Sequence, residues 1–431
     1  MRFSKFGQKF TQKSGILQLM DDLGQALAQG GDIKMLGGGN PARIEAVDAA
    51  YRERLHILSY ENQAAMALDS ALNYSTPQGD KGLIDELVLF FKREYGWQVL
   101  PENIALTNGS QNAFFYLFNL FGGEFETGRK RILLPLSPEY IGYADVHTEG
   151  SHFVSVRPKI EQVQHKGKDG FFKYRVDFDA LESLPDWEQG SIGAICCSRP
   201  TNPTGNVLTD EEMTRLDTLA HKHGIPLIVD NAYGAPFPNI IYSPATLKWH
   251  ENMILCFSLS KIGLPGLRTG IVLANAEVVQ AISSLNAIIN LSPTRFGAAI
   301  VAPMLADGSL KKLADDVIQP FYQTQAEFAV QCLQHEFDGY PLHIHQPEGA
   351  IFLWMWFEDL PVSSQKLYEI LKEQGVLIIP GENFFVGLDI ENYPHAHQCI
   401  RMSIAADKNV LAQGIAQIGI SVRALYDQQA A

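Results

Sequence analysis

Between residues 103 and 274 the chain repeats one unit: a short unbroken apolar run, then a polar or Gly/Pro-rich turn, often followed by an amphipathic stretch. The runs are 103–107, 131–136, 192–197, 225–229, 253–257 and 270–274. Residues 210–223, with Met213, Leu216 and Leu219 on one side, form the clearest intervening helix. A sheet with one wet face alternates apolar and polar residues, whereas a parallel sheet covered on both faces does not. The pattern therefore predicts an α/β fold with a mostly parallel central sheet and helices on both faces. In such sheets ligands gather outside the carboxyl ends of the strands.

The run ends carry the chemistry. They are Asn108-Gly109-Ser110-Gln111, Ser137-Pro138-Glu139-Tyr140, the stretch from Ser198 to Gly205, Asp230-Asn231-Ala232-Tyr233 and Ser258-Leu259-Ser260-Lys261. The segment from Gly263 to Arg268 holds too much Gly and Pro to continue as a helix, so Lys261 sits on a constrained loop. One sheet edge thus collects Ser110, Tyr140, Asn202, Asp230, Tyr233, Ser258 and Lys261. A strand, a Gly-Ser turn and a helix start make an anion site, because free N–H groups and the positive end of the dipole face one point. A carboxylate such as Asp230 in a dry edge is costly unless it faces a cation. A lysine there has a lowered pKa and can act as a nucleophile. An aldehyde cofactor with a ring nitrogen and a phosphate satisfies all three features, which describes pyridoxal 5'-phosphate.

Elsewhere the reading is plainer. Ile16, Leu17, Leu19, Met20, Leu23 and Leu27 predict an amphipathic helix, and the glycines of 35–41 predict a close backbone approach or a turn. Residues 45–95 read as helical, interrupted at 73–79 by a loop carrying Tyr74. After about 315 come a long helix (321–332), a strand (350–357), a helix (364–374), strands at 376–380 and 398–404, and a closing helix from 408. The expected organisation is an N-terminal arm at 1–45 joining the small domain, a large cofactor domain at 46–315 and a small α+β domain at 316–431. A net charge of −14 argues against a nucleic-acid backbone as partner. Five cysteines without C-x-x-C spacing suggest reduced thiols and a cytoplasmic protein. No secretory signal, membrane span or metal site is expected.

The segments Ser198-x-Pro200-x-Asn202-Pro203-Thr204-Gly205, Asp230-x-x-Tyr233 and Ser258-x-Ser260-Lys261-x-Gly263-Leu264-Pro265-Gly266-Leu267-Arg268 resemble the signature of the fold-type I pyridoxal-phosphate aminotransferases. Leu36-Gly37-Gly38-Gly39-Asn40-Pro41-Ala42, residues 107–121, Pro138-Glu139-Tyr140-Ile141-Gly142-Tyr143 and Asp230-Asn231-Ala232-Tyr233-Gly234 resemble its valine–pyruvate subfamily. The resemblance runs essentially end to end. It implies Lys261 as the Schiff-base lysine and proton carrier, and Asp230 as partner of the pyridine nitrogen. It implies Asn202 and Tyr233 on the ring hydroxyl, with Tyr140, rather than the nearby Tyr143, stacked on the ring. Gly109, Ser110, Ser258 and Arg268 would bind the phosphate, with Gln111 a further candidate. Tyr74 would reach the phosphate of a neighbouring subunit, which implies a homodimer. Arg401 would clamp the substrate carboxylate, with Asn202 beside it and Gly39 approaching through its backbone. The implied reaction is ping-pong amino transfer between valine, or another branched or apolar amino acid, and pyruvate or alanine. A β-lyase on the same scaffold, or an aminotransferase of broader or dicarboxylate specificity, shares these residues. Arg295 would favour the dicarboxylate reading if it entered the site; a loop or helix-start position facing solvent is the plainer expectation. A regulator carrying such a domain would need a DNA-binding unit for which the residues before Met35 offer no room.

Overall fold

The computed structural model describes residues 2–11, 24, 33–60, 72–148 and 152–430. Apart from Gly24, the helix expected over 16–27 lies outside the described residues. In chain order the strands are β1 (Lys34–Met35), β2 (Ile104–Thr107), β3 (Gly123–Phe125), β4 (Gly128–Leu134), β5 (Phe153–Ser155), β6 (Lys159–His165), β7 (Lys168–Arg175) and β8 (Ile192–Ser198). There follow β9 (Leu227–Asp230), β10 (Met253–Ser258), β11 (Gly270–Leu273), β12 (Leu342–His345), β13 (Phe352–Phe357), β14 (Val376–Leu377), β15 (Ile379–Pro380) and β16 (Cys399–Ser403). The principal helices are α1 (Lys5–Phe10), α2 (Glu45–Leu58), α3 (Lys81–Tyr95), α4 (Ser110–Phe121), α5 (Asp210–Lys222), α6 (Ala276–Ile289), α7 (Phe296–Ala306), α8 (Gln319–Glu336), α9 (Ser364–Glu373) and α10 (Lys408–Ala430).

The first sheet runs β2-β11-β10-β9-β8-β4-β3, with β5 also on β4. Strands β4, β5, β8, β9 and β10 pair in parallel, as the apolar runs predict. β11 is antiparallel to both its neighbours. Only a short loop separates it from β10, too little chain for the helical crossover that a parallel return needs. Alternate residues of one strand enter different cores: Leu255 and Phe257 pack on one face, Ile254 and Cys256 on the other. Leu83, Leu87, Phe90 and Phe91 of α3 cover the first face, while Phe114, Leu117 and Phe118 of α4 with Ile282 of α6 cover the second. Each such fully buried side chain contributes about 1.5–3 kcal/mol. α5 starts on a reciprocal cap between Thr209 and Glu212, which fixes where the chain turns after β8.

The second sheet runs β15-β16-β13-β12-β7-β6. It includes β6 and β7, which lie inside the 46–315 segment. Neither strand was expected: β6 is largely exposed and carries Lys, Glu, Gln and His among few apolar residues, and the apolar part of β7 is a short run at 171–174. β1 pairs in parallel with β14, tying the residues that precede Leu36 to the C-terminal part. All five cysteines are free thiols, and Cys196, Cys197 and Cys256 are buried in the core as their apolar surroundings predict. No helix among the described residues is long and apolar enough to cross a membrane.

Candidate active site

Strand register brings the run ends level. Ser198 pairs with Asp230 across β8 and β9, Cys256 with Asp230 across β10, Ser258 with Gly270, and Gly270 with Thr107. The cavity at this edge is lined by Ser110, Gln111, Tyr140, Asn202, Asp230, Tyr233, Ser258, Lys261 and Arg268, together with Gly39 and Arg401. These are residues named from the sequence. Ile141, Ser198, Pro200, Ala232 and Ser260 complete the lining, each a member of a quoted segment that had been given no role in the site. All five sit within or beside the strand-end segments, so proximity to those ends was the available signal.

At one end of the cavity α4 begins at Gly109, with a φ of 89° and no side-chain cap. A Cβ on Gly109 would overlap Arg268 Nη2, so only glycine lets the guanidinium lie against the helix start. A Cβ on Gly270 would likewise crowd the Ser110 amide. Arg268, itself at φ 49°, donates through Nη1 to Pro265 O at 3.2 Å and to Ser260 Oγ at 3.4 Å. The Ser258 hydroxyl accepts from the Ser260 amide. Gln111 donates to Gly142 O at 2.8 Å, which turns its amide group toward the Tyr140 loop. Uncapped amides, two hydroxyls and a guanidinium around one point form a cradle for an anion.

In the middle stand Lys261 and Asp230. Lys261 Nζ donates to Gly39 O at 2.7 Å and lies 5.4 Å from the Tyr233 ring centre. Burial, reinforced by the positive charges of Arg401 and Arg268, lowers its pKa to about 8. Asp230 accepts from Tyr143 Oη at 2.7 Å and from the Ala232 amide at 3.0 Å. Burial raises its pKa to about 6, against the pull of those two donors and of Lys261. Tyr140 lines the cavity, and its ring meets Tyr143 edge-on at 5.3 Å. Gly142 makes room, since a Cβ there would overlap the Tyr140 ring. The structure thus separates two tyrosines that the sequence left close together: Tyr140 faces the cavity and Tyr143 is buried behind Asp230.

At the far end Arg401 leaves β16, where it pairs with Trp354 and Ile379. Its guanidinium donates to Asn202 Oδ1 at 2.8 Å and to Gly37 O at 2.7 Å, and its buried Nε has no partner. Its carbon sits 4.0 Å from the centre of Phe352. Burial lowers its pKa to about 10, which leaves it charged at neutral pH. Among the described residues it has no carboxylate partner. Two named residues lie elsewhere. Tyr74 is 79% exposed and outside this cavity. Arg295 neither enters the site nor faces solvent freely: it is the N-cap of α7 and pairs with Asp80 at 3.1 Å.

Residues 44–418 match the family model of the class I and II aminotransferases. The chain is 48% identical to the valine–pyruvate aminotransferase of Escherichia coli K12 over 416 residues, 96% of each chain. Among solved structures it resembles a Psychrobacter arcticum 273-4 protein provisionally described as an amino-acid aminotransferase, with 61% identity, a TM-score of 0.97 and 99% of each chain covered. It also resembles the valine–pyruvate aminotransferase of Salmonella typhimurium LT2, with 45% identity, a TM-score of 0.86, and coverage of 96% of this chain and 100% of that one.

Proposed function

The chain belongs to the class I and II aminotransferase family and is an aminotransferase of fold type I. On that premise we propose that it moves the amino group between valine, or another branched or apolar amino acid, and pyruvate, using pyridoxal phosphate. The observation that carries the reading is one cavity in which Lys261, Asp230 and Arg401 are all confined, the two cations hydrogen-bonded to neutral oxygens only. A buried cation without a carboxylate is costly by itself and becomes favourable when an anionic ligand arrives.

The donor set fits the coenzyme at three points. The Gly109–Ser110 helix start, Gln111, Ser258 and Arg268 would hold the phosphate. Asp230 would face the ring nitrogen, and Asn202 and Tyr233 the ring hydroxyl, with Tyr140 over the ring. When bound, pyridoxal phosphate supplies an aldehyde that takes up amino groups and a ring that accepts the electron pair released at the substrate Cα. Lys261, with its pKa near 8, exchanges a proton at Nζ without a large energetic cost at neutral pH. Asp230 supplies the negative charge that keeps a ring nitrogen protonated. Arg401 binds the substrate carboxylate through two parallel N–H groups, taking the place of its bonds to Asn202 and Gly37. Both half-reactions use the same cavity, so the kinetics are ping-pong.

Specificity follows from what the cavity lacks. Arg295 is committed to Asp80, and Arg268 lies at the anion cradle, so the side-chain end meets apolar groups such as Ile141 and Pro200. That favours an apolar donor over a dicarboxylate. We further propose that residues 46–315, apart from β6 and β7, carry the coenzyme cradle, that 1–45 and 316–431 close the carboxylate side, and that a cytoplasmic homodimer is the working form, with Tyr74 completing the cradle of a second copy. The deciding experiment mixes the coenzyme-loaded protein with single amino acids and follows the coenzyme absorbance. Valine should convert it in one turnover and pyruvate should restore it. Conversion by aspartate or glutamate in preference to valine would overturn the substrate assignment, and a purified protein that binds no pyridoxal phosphate would overturn the coenzyme.

A further inference from the structure

Behind Asp230 lies a second buried carboxyl that the proposed chemistry does not use. Glu139 stands just past β4 and is 2% exposed. Its Oε1 accepts from the Ser198 amide at 2.9 Å, and its Oε2 lies 2.5 Å from Ser198 Oγ and 3.3 Å from the Tyr140 amide. Ser198 Oγ in turn lies 3.3 Å from Tyr143 Oη, and Tyr143 Oη lies 2.7 Å from Asp230 Oδ2. Two carboxyls are therefore joined through two hydroxyls. Three contacts in that row need three protons. Tyr143 supplies one and Ser198 another, each hydroxyl donating once. The third must come from a carboxyl.

Asp230 cannot be the source while it accepts both from Tyr143 and from the Ala232 amide and faces Lys261. Glu139 has no cation partner among the described residues, and an ionised carboxylate there would be buried close to a second negative charge. We infer that Glu139 is a protonated acid that donates to Ser198, so that Ser198 donates to Tyr143 and Tyr143 to Asp230, one directed relay that aims Asp230 and keeps it ionised. Burial, strengthened by the charge of Asp230, accordingly raises Glu139 to about 8. Glu139, Ser198 and Tyr143 are positioning residues, since they act through Asp230. The role of Asp230 toward the coenzyme rests on the reading above, whereas the proton on Glu139 does not.

The test begins with the coenzyme-free protein at neutral pH. Its infrared spectrum should contain a protonated-carboxyl band that disappears in Glu139→Gln and persists in Asp230→Asn. No such loss would overturn the inference. The second arm measures pyridoxal phosphate affinity by absorbance titration. Glu139→Gln, whose amide both donates and accepts, should bind within about threefold of wild type, while Glu139→Leu and Tyr143→Phe should bind about tenfold or more weakly. Leu binding as tightly as wild type, or Gln as weakly as Leu, would also overturn it. If Glu139→Leu does not fold, Tyr143→Phe and the infrared arm still decide. A chain that shows the Glu139 band but binds no coenzyme would sink the coenzyme reading and leave the proton assignment standing.

Discussion

Among the described residues Lys173 is buried and Lys261 half-buried, and the two sites differ in what answers the charge. Lys173 in β7 pairs with Glu348, both nearly inaccessible. Val207 closes the pair from both sides, its carbonyl accepting from Lys173 at 3.0 Å and its amide donating to Glu348 at 3.0 Å. Each of the two charges there is answered by another part of the chain. Lys261 and Arg401, by contrast, touch carbonyl and amide oxygens and share their cavity with a single carboxylate, which is itself held by Tyr143 and Ala232. The closed pair contributes to the fold. The open set leaves charge free for an incoming phosphate and carboxylate. Burial and charge do not distinguish a structural lysine from a reactive one; the partner does.

The sharpest break of that contrast is Lys261→Ala, which should lower amino transfer by about 10⁴-fold, measured in single-turnover reactions, with the protein still folded. Retention of a tenth of the wild-type rate would move the lysine out of the chemistry. Next, Lys173→Met should cost about 3–5 kcal/mol in denaturant unfolding by leaving Glu348 buried and unpaired, and Lys173→Met with Glu348→Leu should recover most of it. Activity per folded molecule should not change; if it does, the closed pair also serves the site. Arg401→Lys comes third. It should raise KM alike for every α-amino acid, for a loss of about 10- to 100-fold in kcat/KM, because a point charge replaces a planar fork. Its unfolding free energy should move by less than about 1 kcal/mol, since no charge partner is orphaned. A large stability loss would place Arg401 with the structural charges.

A further effect is in pH. Asp230 has its pKa raised to about 6, above the unfolded value near 3.9. Between those values the folded state holds a proton that the unfolded state has released, so stability falls as pH rises from about 4 to about 6, by about 2–3 kcal/mol. Asp230→Asn should lessen that slope in coenzyme-free protein without abolishing it, since Glu139, raised to about 8, makes its own fall in stability from about 4 to about 8. A slope left intact would mean Asp230 titrates normally.

Most of the first sheet could be read in the sequence, because β8, β9 and β10 are apolar on both faces and end in residues with no place in a core. Lys261, Asp230 and Arg401 came from the same signal, a strand end or a family motif. What escaped detection was partner-dependent. β6 carries little apolar patterning, and β7, which buries Phe171, Phe172 and Tyr174, takes its place beside β12 from a distant part of the chain. Glu139 and Tyr143 were visible as letters in a motif, but only three-dimensional contact joins them to Asp230. Arg295 shows the converse: an arginine near the site in sequence, removed from it by Asp80, a residue more than two hundred positions away.

The pairing of β7 with β12 also bears on synthesis. Phe171 sits beside Ile344, so the contact closes over 173 residues of chain (344 − 171). On a ribosome the β6–β7 hairpin emerges long before its neighbour is made, with one hydrogen-bonding edge open throughout that interval. Lys159 in β6, Lys166 in the turn and Lys168 in β7 put positive charge along the hairpin, which disfavours pairing with another copy, and β6 stays the edge of the finished sheet after β12 has covered β7.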